Sequence, residues 1–351
     1  MRRAAELRNA TQQGASGWLA DVTLVTLRGE ATQVSFNKRI TMKKPSFLIW
    51  LTTDANDYQQ EQASAATQAA QRLGVDIQIL YAENDAITQS QQLLKIIQSN
   101  TVPRPDAIIL EPAGGTALPQ VARAATVAGI GWVVLNRDAE YIEELRRVHK
   151  VPVFGITSDH EEIGRIQGRQ FAALLPKGGS VLYIQGPGDS LAAKQRTAGM
   201  YETKPVGIQI KLMKAHWTED SSYKAVTSWL RLATSQDAVI DLVGAQDDSM
   251  ATGARKAFQD HTTGAACDRW LKLPFTGCDG LPRTGQAWVH SKALTATIIV
   301  PPNAGQAMEM LVHVLRGGAM PRERSLTVPT SYPPIEFLAA RQKGRSHALG
   351  I

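Results

Sequence analysis

From Ser46 onward, short apolar runs of strand type alternate with longer stretches whose apolar residues recur at helical spacing. SFLIWLT, VDIQILYA, Asp106 to Leu110, GWVVLN and VFGITSD predict strands in the first half. Between them, Tyr58 to Leu73, Ile87 to Gln98 and Leu118 to Ala128 predict helices, with Gly74 and Gly129 as stops. Leu93, Leu94, Ile96 and Ile97 cluster on the second of these for burial. A Glu111-Pro112-Ala113-Gly114-Gly115 turn follows the third strand, and the charged stretch Ala139 to Lys150 predicts a surface helical insertion.

The rhythm then repeats. Helices are predicted over Glu161 to Leu175, from Ser190 through Met200, and over Asp220 to Thr234, Ser249 to Gln259 and Asn303 to Leu315, the last closed by Gly317-Gly318. Strands are predicted at Val181 to Gln185, Ile208 to Met213, AVIDLVGA, Leu271 to Thr276 and ATIIV, with a short turn or helix over Gly285 to Ser291. The tail from Arg322 to Leu338 is expected to be extended, because Pro329, Pro333 and Pro334 oppose a helix. Strands separated by helix-length segments imply parallel sheets covered on both faces, with right-handed crossovers. The expected class is therefore α/β, and two runs of similar size imply two similar lobes.

Length and charge bound the function. A chain of 351 residues fits two domains, and no apolar run approaches the ~20 residues that span a bilayer. Of the formal net charge of +6, residues 1–43 carry +4 and residues 341–351 carry +3, which leaves the body at −1. A near-neutral body lacks the clustered cations that nucleic-acid binding requires. Cys267 and Cys278 are read as two buried or half-buried thiols, although one pair could form in an oxidising compartment. No Cys/His cluster has zinc spacing, so neither a metal nor a cofactor is expected. Residues 1–43 have no amphipathic period and no secretory signal pattern, and are expected to be a poorly defined N-terminal extension; Met42 offers a second possible start.

The candidate chemistry sits in loops that follow strands. After VLYIQ, the residues Gly186, Pro187, Gly188 and Asp189 break the strand, Ser190 can cap a helix, and Arg196 lies about two turns in. In open α/β sheets the ligand crevice lies beyond the carboxyl ends of the strands, where a guanidinium offers a planar fork of donors. Taken alone, this stretch favours a solvated arginine in a structural ion pair. The PGDS loop lacks the Lys-Ser/Thr ending of a P-loop. Six further segments change the balance: TTDANDYQQ, VVLNRD, AHWTED, GAQDDSMATGA, FTGCDGLP and TATIIVPPNAGQAM.

In order and spacing, these segments together with LAAKQRTAGM resemble the type I periplasmic binding proteins of the ribose-binding, sugar ABC-transporter kind. That family shares its fold with the effector domains of lactose-repressor-like regulators, and the resemblance covers about residues 44–338. It implies two lobes joined by a three-segment hinge near Ser158, Val300 and Pro329. The N-terminal lobe would comprise 44–158 plus 301–329, and the C-terminal lobe 159–300 plus 330–351. It implies an amide from Asn56 and an aromatic from Tyr58, with Thr52 or Asp54 as further contacts. A helix cap by Asn56 and a core Tyr58 are the competing readings. Asn136 stands where the family usually has Asp, followed by Arg137, with Asp138 as the candidate replacement.

The resemblance further assigns the ligand arginine to Arg196 and a stacking ring to Trp217, against a purely structural tryptophan. Asp247 stands where Asn is common and is read as the ligand group, with Asp248 capping or bracing the helix start. Asp279 of the Gly-x-Asp-Gly match is the expected ligand carboxylate. Val300 replaces a frequent Gln, and Gln306 is too far along to substitute for it. These departures point to a ligand other than plain ribose.

The expected function is a monomeric solute-binding protein, not an enzyme, that closes on a small polyhydroxylated ligand and delivers it to the membrane component of an ABC transporter. The alternative is a ligand-sensing component for a transcription regulator or membrane receptor; a regulator would need a helix-turn-helix segment, which residues 1–43 do not show. A catalytic pair of Asp247 and Asp248 is disfavoured because adjacent residues seldom face each other across a substrate. The resemblance implies the periplasm, with a wrongly chosen start accounting for the missing leader and the cytoplasm as the alternative.

Overall fold

A computed structural model describes residues 43–340 apart from 102, 114–117 and 237. The expected extension, save Lys43, and the basic tail 341–351 lie outside the described residues. Among the described residues the strands form a six-stranded, a four-stranded and a two-stranded sheet. The first is built from β1 (Ser46–Leu51), β2 (Asp76–Tyr81), β3 (Ala107–Leu110), β4 (Gly131–Leu135), β5 (Val153–Ser158) and the distant β11 (Arg324–Thr327). Its order is β11-β5-β4-β3-β1-β2, every pair parallel. The second takes β6 (Gly179–Gln185), β7 (Ile208–Lys214), β8 (Leu242–Ala245) and β9 (Phe275–Thr276) in the order β7-β6-β8-β9, again all parallel.

Both faces of each sheet are covered, as continuous apolar strands require. Along β1, Leu48 and Trp50 enter one core cluster while Phe47, Ile49 and Leu51 enter the opposite one, the period-2 consequence of the pleat. Helices α1 (Asp57–Leu73) and α12 (Ala304–Leu315) cover one face, and α2 (Ala86–Gln98), α3 (Pro119–Val127) and α4 (Ile142–Val148) the other. Asn56 caps α1 by accepting from the Tyr58 and Gln59 amides at 2.9 and 3.2 Å, and Gly74 ends it at φ 68°. The second sheet carries α5 (His160–Leu174) and α6 (Leu191–Thr203) on one face. Its other face carries α7 (Glu219–Leu230), α9 (Asp248–His261) and α10 (Gly264–Leu271), with the short α8 (Ala233–Gln236) and α11 (Gly285–His290) nearby. Three segments cross between the sheets: 158–160, 299–304 and 327–330.

Several expectations need correction. The charged stretch 139–150 is not a surface insertion, because Ile142 and Leu145 of α4 are buried in the core of the first sheet. Only its outward residues are charged. The expected strand over 271–276 begins at Phe275; α10, not anticipated, occupies the preceding residues because Trp270 stacks on Phe258 with ring centroids 4.6 Å apart. The ATIIV strand is β10 (Thr297–Ile299), which pairs antiparallel with β12 (Thr330–Tyr332). The extended tail stops at Pro334. Residues 335–340 are helical, since the Pro334 carbonyl accepts the Phe337 amide at 3.0 Å and a proline in that place forfeits no needed donor. Leu338 then fills the core beneath the second sheet.

Candidate ligand-binding site

A cavity of about 530 Å³ lies between the carboxyl ends of the two sheets, within the range of small-molecule sites. All nine expected residues line it: Thr52, Asn56, Tyr58, Asn136, Arg137, Arg196, Trp217, Asp247 and Asp279. All but Arg196, which lies inside α6, follow a strand or open the next helix, so the crevice rule places them together. Asn56 uses its oxygen to cap α1 and its amide nitrogen to reach the Trp217 carbonyl at 3.3 Å, tying the two rims. Capping and cavity lining, read as rivals from the sequence, coexist in one side chain. Tyr58 donates to the Pro301 carbonyl at 3.3 Å. Asp54 and Gln306 are not among the lining residues, while Val300 is.

On the first rim a buried polar network explains Asn136. Glu111, at the end of β3, accepts at one oxygen from Gln59 at 2.9 Å and from Asn136 at 3.0 Å. The Asn136 oxygen in turn accepts from Asn303 at 2.8 Å, and the Asn303 oxygen accepts from Gln62 at 2.7 Å. An Asp at 136 would face the Glu111 carboxylate with no proton between them. A carboxylate therefore stands beside position 136, on Glu111, a residue that sequence reasoning read only as part of a turn. Asp138 also lines the cavity, with one oxygen accepting from Arg324 at 2.6 Å. Asn136→Asp is expected to destabilise the protein by about 2–3 kcal/mol at neutral pH. Part of that loss should return on acidification, since one carboxyl of the buried pair then holds a proton; thermal melts at pH 7.5 and 5 measure both effects.

On the second rim, Arg196 is 7% exposed and donates to the Gln246 carbonyl, with its guanidinium 5.4 Å from the centre of the Trp217 ring. The buried surroundings exclude the solvated ion pair that the local sequence favoured. Gln246 holds the β6 loop by accepting from the Gly186 amide at 2.9 Å and donating to Tyr183 at 2.9 Å. Gly186 is required there: a Cβ would lie 2.3 Å from the Trp217 indole. Ser190 caps α6 as expected, accepting from Ala193 at 3.3 Å.

Asp247, not Asp248, caps α9 by accepting from the Met250 amide, and its second oxygen is buried without a partner. Asp248 instead braces the neighbouring loop, accepting from the Gly280 amide at 2.8 Å and from Thr297 at 2.6 Å. Adjacent residues on a helix start point apart, which divides the two roles. Asn136, Trp217 and Asp279 all have positive φ, at 54°, 61° and 102°, and such backbone strain concentrates at functional sites.

Burial raises the Asp279 carboxyl well above its usual range and pushes Asp247 up to about 6, with Arg196 opposing both shifts. Burial also pushes Asp248 up to about 8. Hydrogen-bond donors prefer the ionised form of a carboxylate. Ligand affinity is therefore expected to fall as pH drops through about 6, where Asp247 takes up a proton. Calorimetric titrations between pH 5 and 8 test this, and Asp247→Asn should remove the step near pH 6.

Several lining residues were not read as site residues, among them Asn84 after β2, Glu111 and His160. Glu111 and His160 lie at the ends of β3 and β5, and applying the crevice rule to every strand end would have found them. Cys267 and Cys278 are both free thiols, Cys278 fully buried. Among the described residues no cluster could hold a metal ion, and no helix is long and apolar enough to cross a membrane.

Residues 47–319 match the family described as periplasmic binding protein domain. A putative rhizopine-binding protein of Rhizobium meliloti is 30% identical over 191 residues, 53% of this chain and 58% of that protein. The D-ribose/D-allose-binding protein of Pseudomonas aeruginosa is 25% identical over 305 residues, 86% of this chain and 90% of its own length. Among solved structures, an ABC transporter periplasmic solute binding protein from Actinobacillus succinogenes with bound D-allose superimposes with a TM-score of 0.70 at 21% identity, covering 84% of this chain and 99% of that one. The Caulobacter myo-inositol binding protein gives 0.66 at 19% identity, covering 84% and 95%. At those identities the solved structures establish the shared two-lobed fold, and the family is one of solute-binding proteins rather than enzymes. Because the match runs through both sheets and the cavity between them, the chain belongs to the periplasmic binding protein domain family.

Proposed function

We propose that this protein captures one small sugar or cyclitol between its lobes and presents the closed form to the membrane component of an ABC importer, working as a monomer in the periplasm. The observation that carries the reading is a cavity into which nine residues from both rims converge. Carboxylates Asp247 and Asp279 take ligand hydroxyl hydrogens, Arg137 and Arg196 donate to ligand oxygens, and Asn56, Asn136 and Thr52 complete the polar shell. Tyr58 and Trp217 cover apolar ring faces. The N-terminal lobe is taken as 44–158 plus 301–329 and the C-terminal lobe as 159–300 plus 330–351, with closure about the three crossings. Relatives named for ribose, allose, apiose and rhizopine support a monosaccharide-sized solute. Isothermal titration against a panel of pentoses, hexoses, inositols and nucleosides tests the reading. One-site binding to a member of the panel is expected; absence of heat with all of them would overturn it.

A further inference from the structure

The first residue of α5, His160, ends the 158–160 crossing and lines the cavity. It is 8% exposed, and neither ring nitrogen has a hydrogen-bond partner. The Asn136 carbonyl favours a protonated ring, but it accepts from Arg137 at 3.0 Å and does not meet hydrogen-bond geometry to the imidazole. Buried polar atoms are nearly always paired, and leaving them unpaired is costly. Neither nitrogen is held at hydrogen-bond geometry by the chain, so both are open to a group that enters the cavity.

The charges around the ring limit that partner. Burial comes first, and Arg196 from α6, Arg137 after β4 and Arg324 from β11 add to it, so the imidazole is held neutral well below its usual pKa. A neutral imidazole has one nitrogen that donates and one that accepts. Its complement is a group that offers an acceptor and a donor a few ångströms apart, such as two neighbouring hydroxyls or a hydroxyl beside a ring oxygen.

We propose that His160 is a specificity-determining residue of this site, contacting such a hydroxyl-bearing edge of the ligand as donor and acceptor at once. The proposal rests on the solute-binding reading above and adds to it the residue that distinguishes one hydroxyl pattern from another. A site built to hydrogen-bond a hydroxyl discriminates sharply against the analogue that lacks it, because its own buried polar atoms are then left unpaired.

The test is calorimetry with the tightest-binding member of the panel above and its mono-deoxy analogues, on the intact chain and on His160→Phe and His160→Gln. For the unmodified protein, removal of one or two particular hydroxyls should weaken binding about ten-fold or more. His160→Phe should weaken the parent sugar by a similar factor and make those same deoxy analogues bind no worse than the parent. His160→Gln, which keeps a donor and an acceptor, should restore part of the loss. Thermal melting of the ligand-free His160→Phe protein should match that of the unmodified one, which separates a lost ligand contact from a disrupted fold. Unchanged affinity in His160→Phe, or a deoxy penalty that persists undiminished in it, overturns the proposal while leaving the solute-binding reading intact. Absence of binding by the unmodified protein to any panel member overturns both.

Discussion

Arg196→Met is expected to abolish ligand binding at ordinary concentrations, raising Kd by at least about 100-fold. The guanidinium is buried, its Nε has no partner, and its other arm is anchored on the Gln246 carbonyl. It is also the cation that opposes the upward shifts of Asp247 and Asp279. Methionine keeps much of the volume, yet leaves two buried carboxylates without that compensation. They would then retain protons to higher pH and accept ligand hydroxyls more weakly. Arg196→Lys should fall between the two, since an ammonium retains charge but lacks the planar fork and its fit over Trp217. Isothermal titration measures all three proteins; an unchanged Kd in Arg196→Met would remove this residue from the site.

The second large effect concerns stability. Helices α5 and α6 meet backbone to backbone through glycines. A Cβ on Gly199 would lie 2.0 Å from the Glu161 carbonyl oxygen, and one on Gly164 would lie 2.1 Å from the Arg196 carbonyl oxygen. Neither obstacle is a flexible side-chain tip, so the helices must separate. Gly199→Val is expected to destabilise the protein by about 3 kcal/mol or more. Because Arg196 and His160 sit on these two helices, ligand affinity should fall as well. Gly207→Ala is the control: its nearest neighbour would be 3.7 Å away, so its melting temperature should hardly move. Equal melting temperatures for Gly199→Val and the unmodified protein would refute the close crossing.

How legible was this site beforehand? Strands such as β1 and β4 were plain, because both faces are buried and almost every residue is apolar. The stop of α1 at Gly74 was plain because a left-handed cap there depends on one residue type. The start of β9 and the helix α10 were missed, since Trp270 is placed by its stack on Phe258, a contact between elements rather than a local preference. The same division holds within the cavity. Asn56, Arg196 and Asp279 are carried by motifs at strand ends, where position along the chain already implies position in the crevice. The significance of Asn136 could not be read that way. Its amide makes sense only beside Glu111 and Asn303, which lie 25 and 167 residues away in the chain.

Order and type of the elements, their alternation, and the gathering of polar residues after strands follow from local periodicity and from the geometry of parallel sheets; those are properties of consecutive residues. Which of two neighbouring aspartates turns to the ligand, why an amide replaces a carboxylate, and which histidine is left without a partner depend on side chains that meet from distant segments. Hydrogen-bond pairing and desolvation act over a few ångströms of space, and separation along the chain does not reveal those distances until the two sheets have packed.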